Sequence, residues 1–232
     1  EEFVSVYRMH PLMPDELSIV DIDSNAETGR VPMALAAFQG ATALLQNNSL
    51  VNLFYSFGRA HPGALVLRNY PNWLRNLELP GGRTVDLAAV DILRDRERGV
   101  PRYCAFRRLL RLKAPTSFDQ LTDDPVLARE LERVYDGDIE AVDTMVGMFG
   151  ETPPKGFGFS DTAFRIFILM ASRRLKSDRF YTDDFTPEVY TPEGMQWLED
   201  NTMKTVLSRH FPKLTAALRG VDNAFFPWVP TR

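Results

Sequence analysis

Apolar residues recur at helical spacing along most of the chain, whereas strict alternation of apolar and polar residues is confined to one short segment. That alternation, over residues 17–22, predicts a strand, and the turn-rich residues 23–29 follow it. The remaining pattern predicts helices that end at Gly and Pro. They cover residues 4–10, 31–57, 64–74, 86–98, 106–110, 125–134, 139–149 and 162–175, with shorter helical pieces after residue 183. The sequence therefore predicts a mainly α fold.

Composition excludes several classes of protein. The 232 residues carry 27 Lys and Arg against 31 Asp and Glu, a net charge of −4, so we expect no nucleic-acid partner bound through phosphate neutralisation. The single cysteine, Cys104, excludes an internal disulfide and a cysteine-rich metal site. The longest apolar run, residues 166–171, is far shorter than the ~20 residues of a membrane span. The cellular compartment stays unknown: the sequence fits a soluble protein or one peripherally associated with a membrane.

The beginning of the chain resembles the middle of a helix. Residues 1–3 contain no initiator methionine, no basic signal-peptide region and no small-residue cleavage site. Helical spacing is already present from Val4. We therefore expect the chain to be an excised or processed C-terminal piece of a longer protein.

Histidine chemistry is restricted to three positions, and His10 has the most unusual setting. Tyr7 precedes it by three residues, which places both side chains on one face of a helix, and Pro11 ends that helix. A histidine at a helix end can aim a neutral imidazole nitrogen at haem iron. The same spacing is also found around a partly buried histidine that is hydrogen-bonded to a carbonyl group. For so short a motif, that ordinary histidine is commoner than a haem ligand.

Longer strings carry a family resemblance. Residues 2–15, which contain Tyr-Arg-Met-His followed by Pro-Leu-Met-Pro, closely resemble the proximal helix of the haem peroxidase–cyclooxygenase superfamily. The Tyr-Arg-Met-His string is most similar to that of fatty-acid α-dioxygenases. Similarity continues to about residue 200, through the strings at residues 86–103, 106–108, 143–151, 156–164 and 170–180.

The resemblance implies a fold, a cofactor and two reactive residues. Residues 1–232 would form the C-terminal portion of a single haem peroxidase/cyclooxygenase-like helical catalytic domain, with haem b as cofactor. His10 would be the proximal iron ligand, and Tyr7 the phenol that is oxidised to a radical. The histidine on the opposite face of the haem lies well upstream in this superfamily. An N-terminal segment or separate chain is therefore expected to complete the haem pocket.

Further residues have two interpretations each. Asp91 stands where peroxidases of the superfamily have an asparagine bonded to the proximal histidine; alternatively it pairs with Arg94 on a helix surface. Arg174 is the residue that the resemblance assigns to the fatty-acid carboxylate, although basic residues also favour helix C-termini. The neighbouring apolar helix face predicts a substrate channel lined by Phe164, Phe167 and Ile168.

The function implied by the resemblance is fatty-acid α-dioxygenation. The Tyr7 radical would remove a hydrogen atom from the carbon next to the carboxylate, and O2 would add there to give a 2-hydroperoxy fatty acid. Arg174 would hold the carboxylate near Tyr7, which selects that carbon. A cyclooxygenase or diol synthase, a plain haem peroxidase and a haem-free, non-catalytic remnant are the alternatives.

Overall fold

The computed structural model describes residues 2–38 and 40–231; Glu1, Gln39 and Arg232 lie outside the described part. Helices dominate this part, which confirms the mainly α prediction. The helices are α1 (Glu2–Tyr7), α2 (Met33–Ala36), α3 (Gly40–Asn47), α4 (Leu50–Arg59), α5 (Asn72–Arg75), α6 (Leu87–Glu97), α7 (Tyr103–Leu109), α8 (Pro125–Val134), α9 (Thr144–Gly150), α10 (Asp161–Ser177), α11 (Pro187–Tyr190), α12 (Pro192–Asp200) and α13 (Met203–His210). The strands are β1 (Glu16–Val20), β2 (Glu27–Pro32), β3 (Leu77–Leu79) and β4 (Arg83–Val85). Short 3-10 helices are His10–Leu12, Phe118–Gln120, Ile139–Ala141, Arg179–Tyr181 and Pro212–Thr215.

Side-chain caps explain where two of the helices begin. Asp86 precedes α6 and accepts a hydrogen bond from the N–H of Ala89, 3.1 Å away. Gly99 follows the other end of this helix with φ +70°, a left-handed conformation that glycine adopts without a steric penalty. Asp124 caps α8 in the same way as Asp86. Both helices match the predicted segments to within a residue or two.

The long helix predicted over residues 31–57 is wrong. Its beginning is strand β2, and the rest is divided among α2, α3 and α4. Ser49 separates α3 from α4, because its side chain accepts a hydrogen bond from the N–H of Asn52 and so starts a new helix. The apolar spacing continues across these breaks, so periodicity alone does not reveal them.

Two other predicted helices are shorter than expected. Of residues 64–74, only the end is helical, in α5, because Pro71 disfavours helical backbone at Tyr70. The segment over residues 139–149 is a 3-10 helix followed by α9. The irregular backbone that replaces the predicted helix at residues 64–71 is part of the site described below.

The described chain divides into two compact units. The first unit, Glu1–Met13 with Gly63–Leu175, contains α1, α5 to α9, most of α10 and the β3–β4 hairpin. One of its buried clusters joins α7, α8, the segment between them and the residues just before α9. The members of this cluster are Tyr103, Cys104, Phe118, Leu121, Ala128, Leu131 and Val142. A second cluster joins α1, α9 and α10, and its members are Val6, Met148, Ala163 and Ile166.

The second unit, Pro14–Pro62 with Lys176–Arg232, has its own core. Strands β1 and β2 form an antiparallel hairpin in which Leu17 pairs with Val31. The buried cluster is Ile22, Tyr55, Leu207, Leu214, Ala217, Leu218, Val221 and Trp228. His61 and His210 lie in this unit, and both are exposed.

Candidate active site

Helix α1 turns one side toward the core of the first unit and the other toward the surface. Val6 is 5% exposed and belongs to the cluster with α9 and α10. Ser5 is buried as well, and its hydroxyl donates to Asp95 of α6, 2.9 Å from either carboxylate oxygen. Tyr7 points the other way and is 51% exposed. Packing of Val6 and Ser5 therefore orients the Tyr7 phenol away from the core.

His10 follows α1 in a separate turn of backbone. The helix ends at Tyr7, and the 3-10 helix His10–Leu12 begins three residues later. The predicted continuous helix through His10 is therefore wrong at its last residues, since Pro11 restricts the backbone before it. Burial, and then the positive charge of Arg8, lower the pKa of His10, which favours a neutral imidazole.

The imidazole of His10 has two polar neighbours. The hydroxyl of Tyr70 lies 3.0 Å from Nδ1, within hydrogen-bond distance. A carboxylate oxygen of Asp91 lies 4.0 Å from the same nitrogen, which is too far for a direct hydrogen bond. The other oxygen of Asp91 contacts Nε of Arg8 at 3.0 Å. Asp91 is 4% exposed, which contradicts the second interpretation given above, in which this residue lies on a helix surface. Its bond to His10 stays a prediction.

Aromatic rings connect α1 to α10. The ring centroid of Tyr7 lies 4.6 Å from that of Phe3 and 6.5 Å from that of Phe167. Phe167 stacks on Phe164 at 6.0 Å. The guanidinium of Arg174 lies 5.3 Å from the centre of the Phe3 ring. These five side chains form a continuous group, which we call the aromatic row, with a cation at one end.

The aromatic row contains most of the residues predicted for substrate binding. Tyr7, Phe164, Phe167 and Arg174 are brought together, in keeping with the helical face inferred for α10. Ile168 follows Phe164 by one helical turn and is 47% exposed. Phe167 is 37% exposed, so this apolar face is accessible in the described chain.

Sequence reasoning missed Tyr70. The residue lies 60 positions from His10 in a segment predicted as helix, and a lone tyrosine before a proline carries no chemical signal. Arg8 was missed too, although it lies inside the Tyr-Arg-Met-His string. Its position between Tyr7 and His10 is the one clue to its contact with Asp91.

Arginines of the α6–α7 region form ion pairs with carboxylates elsewhere in the first unit. Arg96 binds Asp143 through two bonds of 2.8 and 2.7 Å, and Arg102 and Tyr135 contact the same carboxylate. Burial opposes ionisation of Asp143, but these donors hold its pKa below the ordinary value. Arg107 is paired with Glu151 at 2.9 Å. This region therefore stabilises the first unit.

The residues around His10 fit the axial ligand of a haem. An axial imidazole needs a neutral ring, one nitrogen directed at iron and the other bonded to a protein group. His10 meets these needs: its pKa is lowered, its side chain is 18% exposed, and Nδ1 contacts Tyr70. Nε2 is then the nitrogen that can bind iron. Among the described residues, no group of three or more His, Cys, Asp or Glu could hold a separate metal ion.

The chain is similar to known proteins in both sequence and fold. The animal haem peroxidase family model matches residues 1–224. Alpha-dioxygenase 1 of Arabidopsis thaliana is 41% identical over 242 residues, which cover 98% of this chain and 38% of that protein. The crystal structure of Oryza sativa fatty acid alpha-dioxygenase superposes with a TM-score of 0.91 at 39% identity, covering 98% of this chain and 40% of the other. A variant of the rice protein with palmitic acid matches with the same TM-score, 0.91.

These matches confirm the resemblance to α-dioxygenases and the haem peroxidase fold. The chain spans about two fifths of the length of these relatives. Within the described residues, no helix is both long and apolar enough to cross a bilayer. With one family model matched over residues 1–224, the chain belongs to the animal haem peroxidase family.

Proposed function

We propose that this chain contributes the proximal side of the active site of a haem-dependent fatty-acid α-dioxygenase. It would be the C-terminal portion of the catalytic domain. Because it spans 38% of the length of an α-dioxygenase relative, protein outside this chain would supply the rest of the haem pocket. The observation that carries the proposal is the aromatic row, which connects the Tyr7 phenol to the cation of Arg174. Tyr7 itself lies three residues before His10 in the sequence.

His10 would hold the haem iron through Nε2. The contact of Nδ1 with Tyr70 at 3.0 Å fixes the ring, and the buried Asp91 supplies a negative charge nearby. A bound haem b would supply the oxidising power that removes one electron and one proton from a phenol. Tyr7 is the phenol closest in sequence to this ligand, and its 51% exposure leaves it accessible to a substrate.

Arg174 would bind the carboxylate of the fatty acid. A guanidinium stays charged at all relevant pH values and can donate two parallel hydrogen bonds to a carboxylate. Phe164, Phe167 and Ile168 would contact the first methylenes of the acyl chain. Because Arg174 and Tyr7 both belong to the aromatic row, a carboxylate bound by Arg174 would present its neighbouring carbon to Tyr7.

The reaction balances with O2 as the co-substrate. The Tyr7 radical takes a hydrogen atom from C2 of the fatty acid, which restores the phenol and leaves a carbon radical. O2 adds to that carbon, and the resulting peroxyl group takes a hydrogen atom back from Tyr7. The product is a 2-hydroperoxy fatty acid, and the tyrosyl radical is regenerated.

The test is product analysis with the complete, haem-loaded protein. Palmitic acid is the probe, because a rice α-dioxygenase variant has been crystallised with it. Incubation with O2 followed by mass spectrometry is expected to detect 2-hydroperoxypalmitate, or its 2-hydroxy and one-carbon-shorter aldehyde derivatives. Tyr7→Phe is expected to abolish these products. Tyr181→Phe is the matched control, since Tyr181 is 66% exposed and outside the aromatic row.

Three outcomes would contradict the proposal. Oxygenation at an interior carbon would support the cyclooxygenase or diol-synthase alternative. Unchanged palmitate, together with oxidation of small phenols by Tyr7→Phe, would support a plain haem peroxidase. A complete protein that binds no haem would support the non-catalytic alternative.

A further inference from the structure

Two polar groups compete for Nδ1 of His10, and they differ in charge. The neutral phenol of Tyr70 lies 3.0 Å from this nitrogen, and its ring meets the imidazole at 60° with centroids 5.4 Å apart. The carboxylate of Asp91 lies 4.0 Å away. A direct hydrogen bond requires about 2.7–3.2 Å, so Tyr70 alone of these two meets the criterion.

The backbone around Tyr70 is attached to the turn that carries His10. The N–H of Gly63 donates to the carbonyl oxygen of Leu12 at 3.1 Å. The side-chain amide of Asn69 donates to the carbonyl oxygen of Pro11 at 2.9 Å. These bonds hold residues 63–69 against the residues directly after His10. The position of Tyr70 therefore follows from the packing of the segment and not from its own side chain alone.

Asp91 is engaged by another residue. One of its oxygens contacts Nε of Arg8 at 3.0 Å, which partly balances its charge. A phenol is uncharged at neutral pH, and its oxygen can accept a hydrogen bond. Tyr70 is consequently a neutral partner for the imidazole.

We infer that Tyr70 is a positioning residue that accepts the Nδ1–H hydrogen bond of His10, in place of Asp91. The bond selects the tautomer with its lone pair on Nε2 and fixes the rotation of the ring. It also limits the donor strength of the imidazole, because a neutral acceptor withdraws the Nδ1 proton less than a carboxylate does. The inference rests on the proposed function in one respect, that His10 ligates haem iron.

The frequency of the iron–histidine stretching band is expected to depend on whether Tyr70 or Asp91 accepts the hydrogen bond from His10. A carboxylate acceptor makes the imidazole more anionic and strengthens its bond to iron, and a phenol does so less. Without Tyr70, the imidazole needs to move by about 1 Å to reach the carboxylate of Asp91. Tyr70→Phe is therefore expected to shift the iron–histidine stretching band to higher frequency.

The experiment is resonance Raman spectroscopy of the complete, haem-loaded protein in its ferrous form. Variants to compare are Tyr70→Phe, Asp91→Asn and the double variant. The expected results are an upward shift for Tyr70→Phe, a smaller change for Asp91→Asn and a band below the parent for the double variant, which lacks both acceptors. Tyr103→Phe is the matched control, because Tyr103 is buried and its hydroxyl binds Glu151 instead.

The outcomes separate this inference from the proposed function. If the parent protein shows no iron–histidine band, the ligation by His10 is wrong. If the parent shows the band, and Tyr70→Phe leaves it unchanged while Asp91→Asn lowers it, Asp91 is the acceptor and the inference is overturned.

A second variant covers the case in which Tyr70→Phe fails to fold. Asn69→Ala keeps the phenol and removes the bond to the carbonyl oxygen of Pro11. It is expected to broaden the band or shift it relative to the parent, because the phenol is then held less firmly. A band identical to that of the parent would contradict the positioning role.

Discussion

Gly63→Ala is expected to separate Tyr70 from His10 without altering either side chain. A Cβ atom at residue 63 would lie 2.7 Å from the Asn69 amide nitrogen and closer still to the carbonyl oxygen of Pro11. The Pro11 oxygen belongs to the backbone of the turn that begins at His10, so it cannot rotate away. The added methyl group therefore acts on the site itself.

The size of the effect follows from these distances. Ordinary carbon contacts are about 3.5–4.0 Å, so the two segments must move apart by about 1 Å. Overpacking of this kind costs about 1–3 kcal/mol of the free energy of unfolding. Misplacement of a functional group by about 1 Å costs roughly 100-fold in rate. We expect both losses in Gly63→Ala, one in the free energy of unfolding and one in the turnover of palmitate.

The assay uses the complete, haem-loaded protein. Urea denaturation gives the change in the free energy of unfolding, and initial rates with palmitate give the change in turnover. Gly158→Ala is the control, because it lies in the same unit and no atom lies within 4 Å of the added Cβ. If Gly63→Ala matches Gly158→Ala in both stability and rate, the close approach of residue 63 to Pro11 does not position His10 and the reasoning is refuted.

Three further predictions concern binding, acid stability and thiol reactivity. Arg174→Ala is expected to raise the KM for palmitate by about 10- to 100-fold, since a bond to a charged group is worth about 1.5–3 kcal/mol; steady-state kinetics that match those of Arg173→Ala would contradict this. The lowered pKa of Asp143 means that its stabilisation is present above the unfolded value near 3.9 and is lost as the pH falls through the lower folded pKa. Asp143→Asn is accordingly expected to lower the urea midpoint at pH 7 by more than at pH 3, and an equal loss at both pH values would argue against it. Cys104 is 0% exposed and burial raises the pKa of its thiol, so labelling by a thiol reagent is expected only after unfolding; rapid labelling of the native protein would show that the thiol is accessible.

Helices with strong local signals were predictable from the sequence. Helix α8 begins at Pro125 after the cap Asp124, and Asp86 marks the start of α6. These signals depend on neighbouring residues only, so they need no knowledge of the fold. The breaks inside residues 31–57 were not predictable from the apolar spacing, because Ser49 caps α4 only when the chain before it turns away.

The candidate site was predictable in part. Two sets of site residues could be recognised from spacing along the sequence. Tyr7 and His10 form one set on a short segment, and Phe167 and Arg174, two helical turns apart, form the other set on one face of α10. Packing of α1 through Val6 then brings the two sets together in the aromatic row. The contact between sets is a property of the first unit and has no counterpart in local spacing.

The sequence by itself determined the helical class, the family and the residue types available for chemistry, since these follow from periodicity, capping and recognisable strings. Only the tertiary structure decided which groups surround the imidazole. It brings Tyr70 to within 3.0 Å of His10 across 60 positions of chain, and it leaves Asp91 at 4.0 Å, paired with Arg8. Hydrogen bonds depend on distances of a few tenths of an ångström, and long-range packing sets those distances.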